Sequence, residues 1–307
     1  MHPSHRGPSW RMVVLMDLGP FFRHLARCND LVSLEGFLPF HIGGRRVGWV
    51  APETAEALGP AREIVREGAT LALTPSARTP AERTEALAAL ADRLLARGLI
   101  PRLRGELYDV RAERGGESLA RIDRAAIPAF GIAAEGVHAN GLVRRPEGLF
   151  VWIGERAADK TIAPGKRDTL IGGGIAAGET ALSTLIKEAD EEASIPAELA
   201  ATARPVGCVR YRMAWTEPGQ ARGMRRDTLH LFDLDLPEGF VPRPNDGEVA
   251  RFELLPISEV VRLVRDTDDF KFNIPLVLID LFLREGLIPP GEGVGRLRAA
   301  LERCSAI

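Results

Sequence analysis

The sequence predicts an α+β / mixed α/β protein: a mixed sheet between helix layers in its C-terminal part, plus a smaller N-terminal α+β domain. Three observations carry this. A length of 307 residues suits two domains, each able to bury a core. Strand-like runs alternate with segments of helical period along the chain. In the C-terminal half, a glycine-rich stretch runs straight into an amphipathic helix crowded with carboxylates, from Gly173 to Ile195. On this reading 1–10 is a frayed polar leader, 11–125 the N-terminal α+β domain, 126–290 the second domain and 291–307 a C-terminal tail or helix.

In chain order, residues 11–35 read as a helix marked by Phe21, Phe22, Leu25 and Leu31. Phe37 to Phe40 and Arg46 to Val50 read as strands around the turn Gly43-Gly44. Pro52 opens a short helix through Leu58, and a second runs from Pro80 to Arg97 with Gly98 as its stop. Leu107 to Val110 is a strand, followed by a polar link. In the second domain, Gly136 to Leu142 and Leu149 to Glu155 are strands, and Arg156 to Asp168 is a long loop. Past the acidic helix come strands at Pro205–Tyr211, Thr228–Leu236 and Phe252–Leu255. Helices follow at Ile257–Arg265 and Ile274–Arg284, the latter strongly apolar and stopped at Gly286.

Composition excludes several classes. Hydrophobic content of 45% and charged content of 27% are those of a globular protein. A net charge of −2 argues against a general nucleic-acid binder. No apolar run approaches the roughly 20 residues of a membrane span. Cys28, Cys208 and Cys304 have no paired spacing, so they form neither a zinc motif nor a disulfide frame and fit a reducing cytoplasm. The oligomeric state is not readable.

The acidic helix holds the chemistry. Leu182, Leu185, Ile186, Ala189 and Ala193 recur at helical spacing and form its core stripe. Thr180 is placed to cap its start, and Pro196 disfavours helix at Ile195. At about 100° per residue, Glu188, Glu191 and Glu192 share one sector beside the stripe, while Asp190 lies on the far side. A solvated acidic face is the plain reading of such a helix. The glycines before it, Gly172, Gly173, Gly174 and Gly178, shift the balance. They let backbone approach a ligand and turn a carbonyl toward a cation. Like charges three and four residues apart repel unless something bridges them. A divalent metal is the usual bridge, and phosphate the usual partner of that metal. No Gly-Lys-Ser/Thr follows, so this is not a P-loop.

The segment resembles the Nudix box: glycine, five residues, glutamate, seven residues, then Arg-Glu-hydrophobic-any-Glu-Glu-any-Gly-hydrophobic. The match runs through Gly173, Glu179, Glu188, Glu191, Glu192 and Ile195, with Ala189 a weak hydrophobic. Lys187 stands where the family has arginine, and Ser194 where it has glycine. Further stretches, among them RRVGWVAPETAEAL, GVHANG, FVPRPNDGEVARFELL and FKFNIPLVLIDLFLREGLI, extend the resemblance over roughly residues 30–290. They are similar to a Nudix subfamily with an extra N-terminal domain, related to the Nudix part of thiamine pyrophosphokinase-like proteins.

The resemblance implies an α/β/α sandwich and Mg²⁺-dependent hydrolysis of a small-molecule diphosphate, with Mn²⁺ as a substitute. The implied substrate is thiamine diphosphate, or its damaged, oxidised analogues, cut to the monophosphate. Nucleotide sugars or dinucleotides are the alternative, and a nucleotide-sensing module without turnover is a third. The carbonyl of Gly173 with Glu191 and Glu192 would hold metal, and Glu188 would hold metal or help activate water. Glu179 would support Lys187 and the loop, more loosely than an arginine would allow. Glu248, in the loop NDGEV, becomes a further ligand or base. Lys160 and Lys166 in DKTIAPGKRD would face the diphosphate.

Other residues have plainer readings. His138 reads as a satisfied core histidine, Asn273 as a helix cap, and Asp168 as a turn cap. Trp49, Trp152, Trp215 and Tyr211 are core candidates, any one of which could stack on a flat ring.

Overall fold

The computed structural model describes residues 17–215, 222–288 and 291–305. The expected leader and the start of the expected first helix lie outside these. The N-terminal part runs α1 (Gly19–Cys28), β1 (Leu38–Ile42), β2 (Arg45–Val50), α2 (Pro52–Leu58), β3 (Ile64–Glu67), β4 (Thr70–Leu73), α3 (Pro80–Ala96), β5 (Leu107–Val110), β6 (Ala120–Asp123) and α4 (Ile127–Phe130). A four-stranded sheet, β2-β1-β4-β3, is parallel only between β1 and β4. Its core joins Phe40 to Leu87, Leu90 and Leu94 of α3 and to Phe130 of α4. α3 starts on a capping box in which Thr79 and Glu82 satisfy each other's backbone N–H. β5 and β6 form a separate antiparallel pair.

The second part runs β7 (Ala133–Arg145), β8 (Gly148–Arg156), β9 (Arg167–Asp168), β10 (Ile171–Gly174), α5 (Ala181–Ala193), α6 (Ala197–Ala200), β11 (Arg204–Trp215), β12 (Gly223–Asp235), β13 (Val249–Pro256), α7 (Ile257–Asp266), α8 (Ile274–Arg284) and α9 (Glu292–Ser305). The sheet order is β11-β12-β7-β8-β13, with β10 added on β7 and β9 on β8. Only β12 and β7 run parallel, so the sheet is mixed. One face, with Leu142, Val209 and Leu229, packs on α1, α7, α8 and α9. The other, with Val137, Ala139 and Leu234, packs on α5. This is an α/β/α sandwich. Among the described residues no helix is long and apolar enough to cross a membrane.

Several expectations need correction. The first helix spans Gly19–Cys28, well short of residue 35. It belongs to the second domain's core: Phe21 meets Phe282 of α8 edge-on, with ring centroids 6.4 Å apart. The change of core falls after Ile132 and not at 125/126, because Ile127, Ala129, Phe130 and Ile132 all pack with the N-terminal cluster. Of the two readings of the C-terminal segment, the structure has the helix: Leu297 and Leu301 of α9 are buried in the same core as α8. The expected glycine-rich turn includes a strand: Ile171–Gly174 pairs with Ala139–Gly136 of β7, where ladder bonding outweighs glycine's poor strand propensity. β3, β4 and β6 were not expected at all.

Candidate functional site

α5 begins at Thr180, whose hydroxyl accepts from Ser183 N at 3.1 Å, while Ser183 Oγ accepts from Thr180 N at 2.9 Å. It ends at Ser194, which takes the left-handed conformation at φ 53°. Serine therefore occupies a geometry for which glycine carries no steric cost. Its hydroxyl donates to the Arg243 carbonyl at 3.0 Å. The loop carrying Glu248 lies over this end of the helix: Arg243 N donates to Ala193 O and Asp246 N to Glu191 O, both at 3.0 Å. Leu182, expected in the core stripe, is 43% exposed.

The glutamates divide into different environments. Glu192 is buried, only 6% exposed, and its Oε2 accepts from Gly172 N at 2.9 Å. Burial pushes its carboxyl well above the usual range. Glu188 packs on the Cα of Gly173 so closely that a β-carbon there would stand 2.5 Å from its Oε1. Burial raises Glu188 to about 7, and the charges of Glu191 and Glu248 act in the same direction. Asp190 is exposed and outside the group, with its carbonyl taking Asn245 Nδ2 at 3.2 Å.

The expected support of Lys187 by Glu179 is not formed. Lys187 Nζ lies 3.2 Å from Glu191, one helical turn on, and that hydrogen bond raises the ammonium pKa. Glu179 instead accepts from Ser183 Oγ at 2.5 Å. The i, i+4 spacing of Lys187 and Glu191 was itself the available signal. Lys160 pairs with Glu248. Burial acts to raise Glu248, but the hydrogen bond and charge of Lys160 outweigh it and hold the group below its ordinary value. Lys166 does not reach the glutamates: its Nζ donates to the Asp268 carbonyl at 2.8 Å.

Residues not singled out in the sequence complete the surroundings. Arg156 donates to Asp168 at 3.0 Å, and Lys271 lies 3.7 Å from the same carboxylate. Asp168 is thus the centre of a buried ion network and no turn cap. Burial acts to raise it, yet Lys271, His138 and Arg156 together hold it below the usual value. His138 is buried and hydrogen-bonded through Nδ1 to Thr169 Oγ1 at 2.7 Å, as a core histidine should be. Asn273 makes no side-chain cap and donates to Tyr211 Oη at 3.4 Å.

The N-terminal domain touches the site directly. Ala177 N donates to Leu107 O at 2.7 Å, and Gly178 N to Asp109 Oδ2 at 3.2 Å. A β-carbon at Gly174 would overlap the Tyr108 hydroxyl. Arg124, 5.9 Å over the Tyr108 ring, adds positive charge felt by Glu188 and Glu248. Tyr108 lies in GELYDV, a further stretch of the resemblance in the added domain, whereas no signal in the sequence pointed to Arg124.

A sandwich whose glycine strand abuts a glutamate-bearing helix defines a class, and comparison with known proteins gives the same one. Residues 135–274 match the NUDIX domain, and residues 20–134 match a domain of unknown function (DUF4743). Nudix hydrolase 24, chloroplastic, of Arabidopsis thaliana is 38% identical over 282 residues, spanning 89% of this chain and 75% of that protein. Nudix hydrolase 20, chloroplastic, of the same plant is 36% identical over 285 residues with the same coverage. Among solved structures, DR0079 of Deinococcus radiodurans overlays at TM-score 0.41 and 19% identity, over 56% of this chain and 95% of that one. The chain belongs to the Nudix hydrolase family.

Proposed function

We propose that this hydrolase is Mg²⁺-dependent, with Mn²⁺ as a substitute, and cuts a small-molecule diphosphate to the monophosphate. The observation that carries the reading is the packing of Glu188 on Gly173, with Glu191 on the same helix face and Glu192 fastened to the N–H of Gly172. The donors are hard oxygens, which suit Mg²⁺ and Mn²⁺. Among the described residues no group of three or more ligands is already gathered. Glu191 is drawn to Lys187 and Glu248 to Lys160, so each would exchange an ammonium for the cation. Burial raises the Glu188 and Glu192 carboxyls, with neighbouring carboxylates acting in the same direction, and a divalent ion would favour their charged forms.

A bound metal supplies Lewis acidity at the phosphoryl oxygens and lowers the pKa of a coordinated water. Glu188, Glu191 and Glu192, with the Gly173 carbonyl, would hold it. Glu188, if it does not hold the metal, would help activate the attacking water, with Glu248 as the second candidate base. Lys160, once released from Glu248, would meet phosphate oxygens. Lys166, tied to the Asp268 carbonyl, is the weaker candidate for that contact.

Thiamine diphosphate and its oxidised analogues are the substrates we favour. Support comes from the N-terminal domain, which adds Tyr108 and Arg124 as a wall beside the glutamates. We place the enzyme in the cytoplasm, since its three cysteines lack paired spacing. The deciding experiment is a panel of thiamine diphosphate, oxidised analogues, nucleotide sugars and dinucleotides assayed with Mg²⁺, with products identified by chromatography. Highest kcat/KM on a damaged thiamine diphosphate supports the reading. Efficient cleavage of nucleotide sugars or dinucleotides with every thiamine compound inert replaces the substrate. Binding without Mg²⁺-dependent phosphate release would make the chain a sensing module.

A further inference from the structure

β12, and β11 beyond its irregularity at Pro205–Gly207, put their even-numbered residues on the sheet face that carries α5, since Phe232 and Leu234 pack with α5 while Val209, Tyr211, Leu229 and Leu231 face the opposite helices. Toward the other end of these strands that face turns polar. Arg210, Arg212 and Arg226 line a cavity of about 630 Å³, walled on the N-terminal side by Arg46 and Tyr108. Arg212 and Arg226 are direct partners across the β11–β12 pair. Like charges placed opposite each other in this way repel.

Five carboxylates share the wall, and each already has a donor: Glu179 accepts from Ser183 Oγ at 2.5 Å, and the other four are bound by cations or a hydroxyl, of which Arg111 and His230 line the cavity too. Asp109 is bound by Arg111 at 2.7 Å, Glu113 by Arg45 at 3.0 Å and Glu135 by His230 at 2.5 Å. Asp227 is bound by Tyr211 at 2.5 Å and by Arg225 at 3.4 Å. The arginines reach neutral atoms. Arg212 Nε donates to Leu31 O at 3.1 Å, Arg226 Nη1 donates to Gly131 O at 3.2 Å, and Arg46 lies over the Trp49 ring at 4.9 Å. Arg210 Nε is buried with no hydrogen-bond partner among the described residues. Burial first, then the charges of Arg46 and Arg212, push the Arg226 pKa down.

We propose that this cavity binds a phosphate-bearing small molecule, its oxyanion held between Arg46, Arg212 and Arg226, apart from the carboxylates of α5. The guanidinium fork matches phosphate oxygens bidentately, and the volume is that of a small-molecule site. An anion here would relieve the Arg212–Arg226 repulsion and supply the missing partner of Arg210. The assignment does not depend on the hydrolase chemistry.

The probe is inorganic pyrophosphate, titrated calorimetrically into the full chain in EDTA so that no metal bridges it to α5. Wild type should bind, and Arg226→Gln and Arg46→Gln should each weaken binding by about tenfold or more, the scale of one lost charged hydrogen bond. Glu188→Gln should bind like wild type. Arg46 is exposed, so its variant keeps the test valid should Arg226→Gln unfold. Failure of wild type to bind, or arginine variants that bind as wild type does, overturns the site. Two sources share the chemistry: a distal phosphate of the hydrolysed substrate, or a separate phosphorylated effector. Inhibition of turnover by pyrophosphate that Arg46→Gln relieves supports the site, competitive inhibition assigning it to the substrate and non-competitive to an effector. Inhibition indifferent to Arg46→Gln counts against it.

Discussion

Replacing Gly173 by alanine tests the geometry of the glutamate cluster without touching a carboxylate. The added β-carbon would stand 2.5 Å from Glu188 Oε1 and closer still to its Cγ and Cδ, where ordinary contact begins near 3.4 Å. Something must therefore retreat by about 1 Å. The helix backbone is the stiffer party, because Leu185, Ala189 and Ala193 are fully buried beneath it and Thr180 caps its start. The Glu188 side chain has to swing instead, toward Glu191 and Glu248, whose charges already act on it unfavourably. Overpacking of this kind costs about 1–3 kcal/mol of stability. A displacement of about 1 Å in a reacting group costs up to about a hundredfold in rate. We expect Gly173→Ala to fold, to unfold at lower temperature, and to lose kcat on that scale in a Mg²⁺-dependent phosphate-release assay. If the damage passes through Glu188, the double variant with Glu188→Ala should be no slower than Glu188→Ala alone. Losses that multiply would show that Gly173 acts by another route. Full activity of Gly173→Ala would refute the idea that Glu188 must sit against this glycine.

Three further outcomes are expected. Glu188→Gln, Glu191→Gln and Glu192→Gln should each lower turnover at least about a hundredfold, whereas Asp190→Asn stays near wild type; Glu192→Gln still folds because its amide oxygen can accept from Gly172 N, and equal losses at 190 and 192 would sink the face assignment. Lys187→Ala should cost only about 0.3–0.5 kcal/mol, since its side chain is 60% exposed and its partner is one helical turn away; with Glu191 released, half-maximal activity should come at lower Mg²⁺, and a need for more Mg²⁺ would contradict this. His138 is held at about 4 by burial against 6.5 when unfolded, so the unfolded chain binds the extra proton and the stabilisation is complete above pH 6.5 and lost as pH falls toward 4; wild type should lose about 3 kcal/mol more than His138→Gln over that window in urea unfolding, and parallel pH curves would count against it.

The legible parts of this fold are those whose stability is local. α2 and α8 begin and end where proline and the apolar run place them, and α5 keeps the cap at Thr180 that its sequence announces. What stayed hidden depends on distant partners. β10 is three glycines out of four residues, strand only because β7 supplies a ladder beside it. β3 and β4 are four residues each, too short for a period to show. The apolar face of α1 was visible, but not that it would dock on α8 across the whole length of the chain. At the site, the shared sector of the three glutamates could be read from helical angle alone. The burial of Glu192 could not, nor could Lys271 and Arg156 gathering on Asp168 from separate elements.

The glycines before α5 have distinct physical reasons, and only some concern the glutamates. At 172 a side chain would meet His138 at 2.7 Å, at 173 it would displace Glu188, and at 174 it would strike Tyr108. Gly178, at φ +86°, turns its N–H onto Asp109. The first two conditions belong to the sandwich itself. The last two arise only because β5 of the N-terminal domain lies along the loop. A shift of β5 would therefore act on Gly174 and Gly178, and through the continuous strand on Gly173 and its contact with Glu188. The N-terminal domain thus enters the geometry of the carboxylates by fixing the loop that positions them, while Arg46 and Tyr108 on its surface close the arginine-lined cavity alongside. That double contact gives a physical reason for the two domains to be carried in one chain.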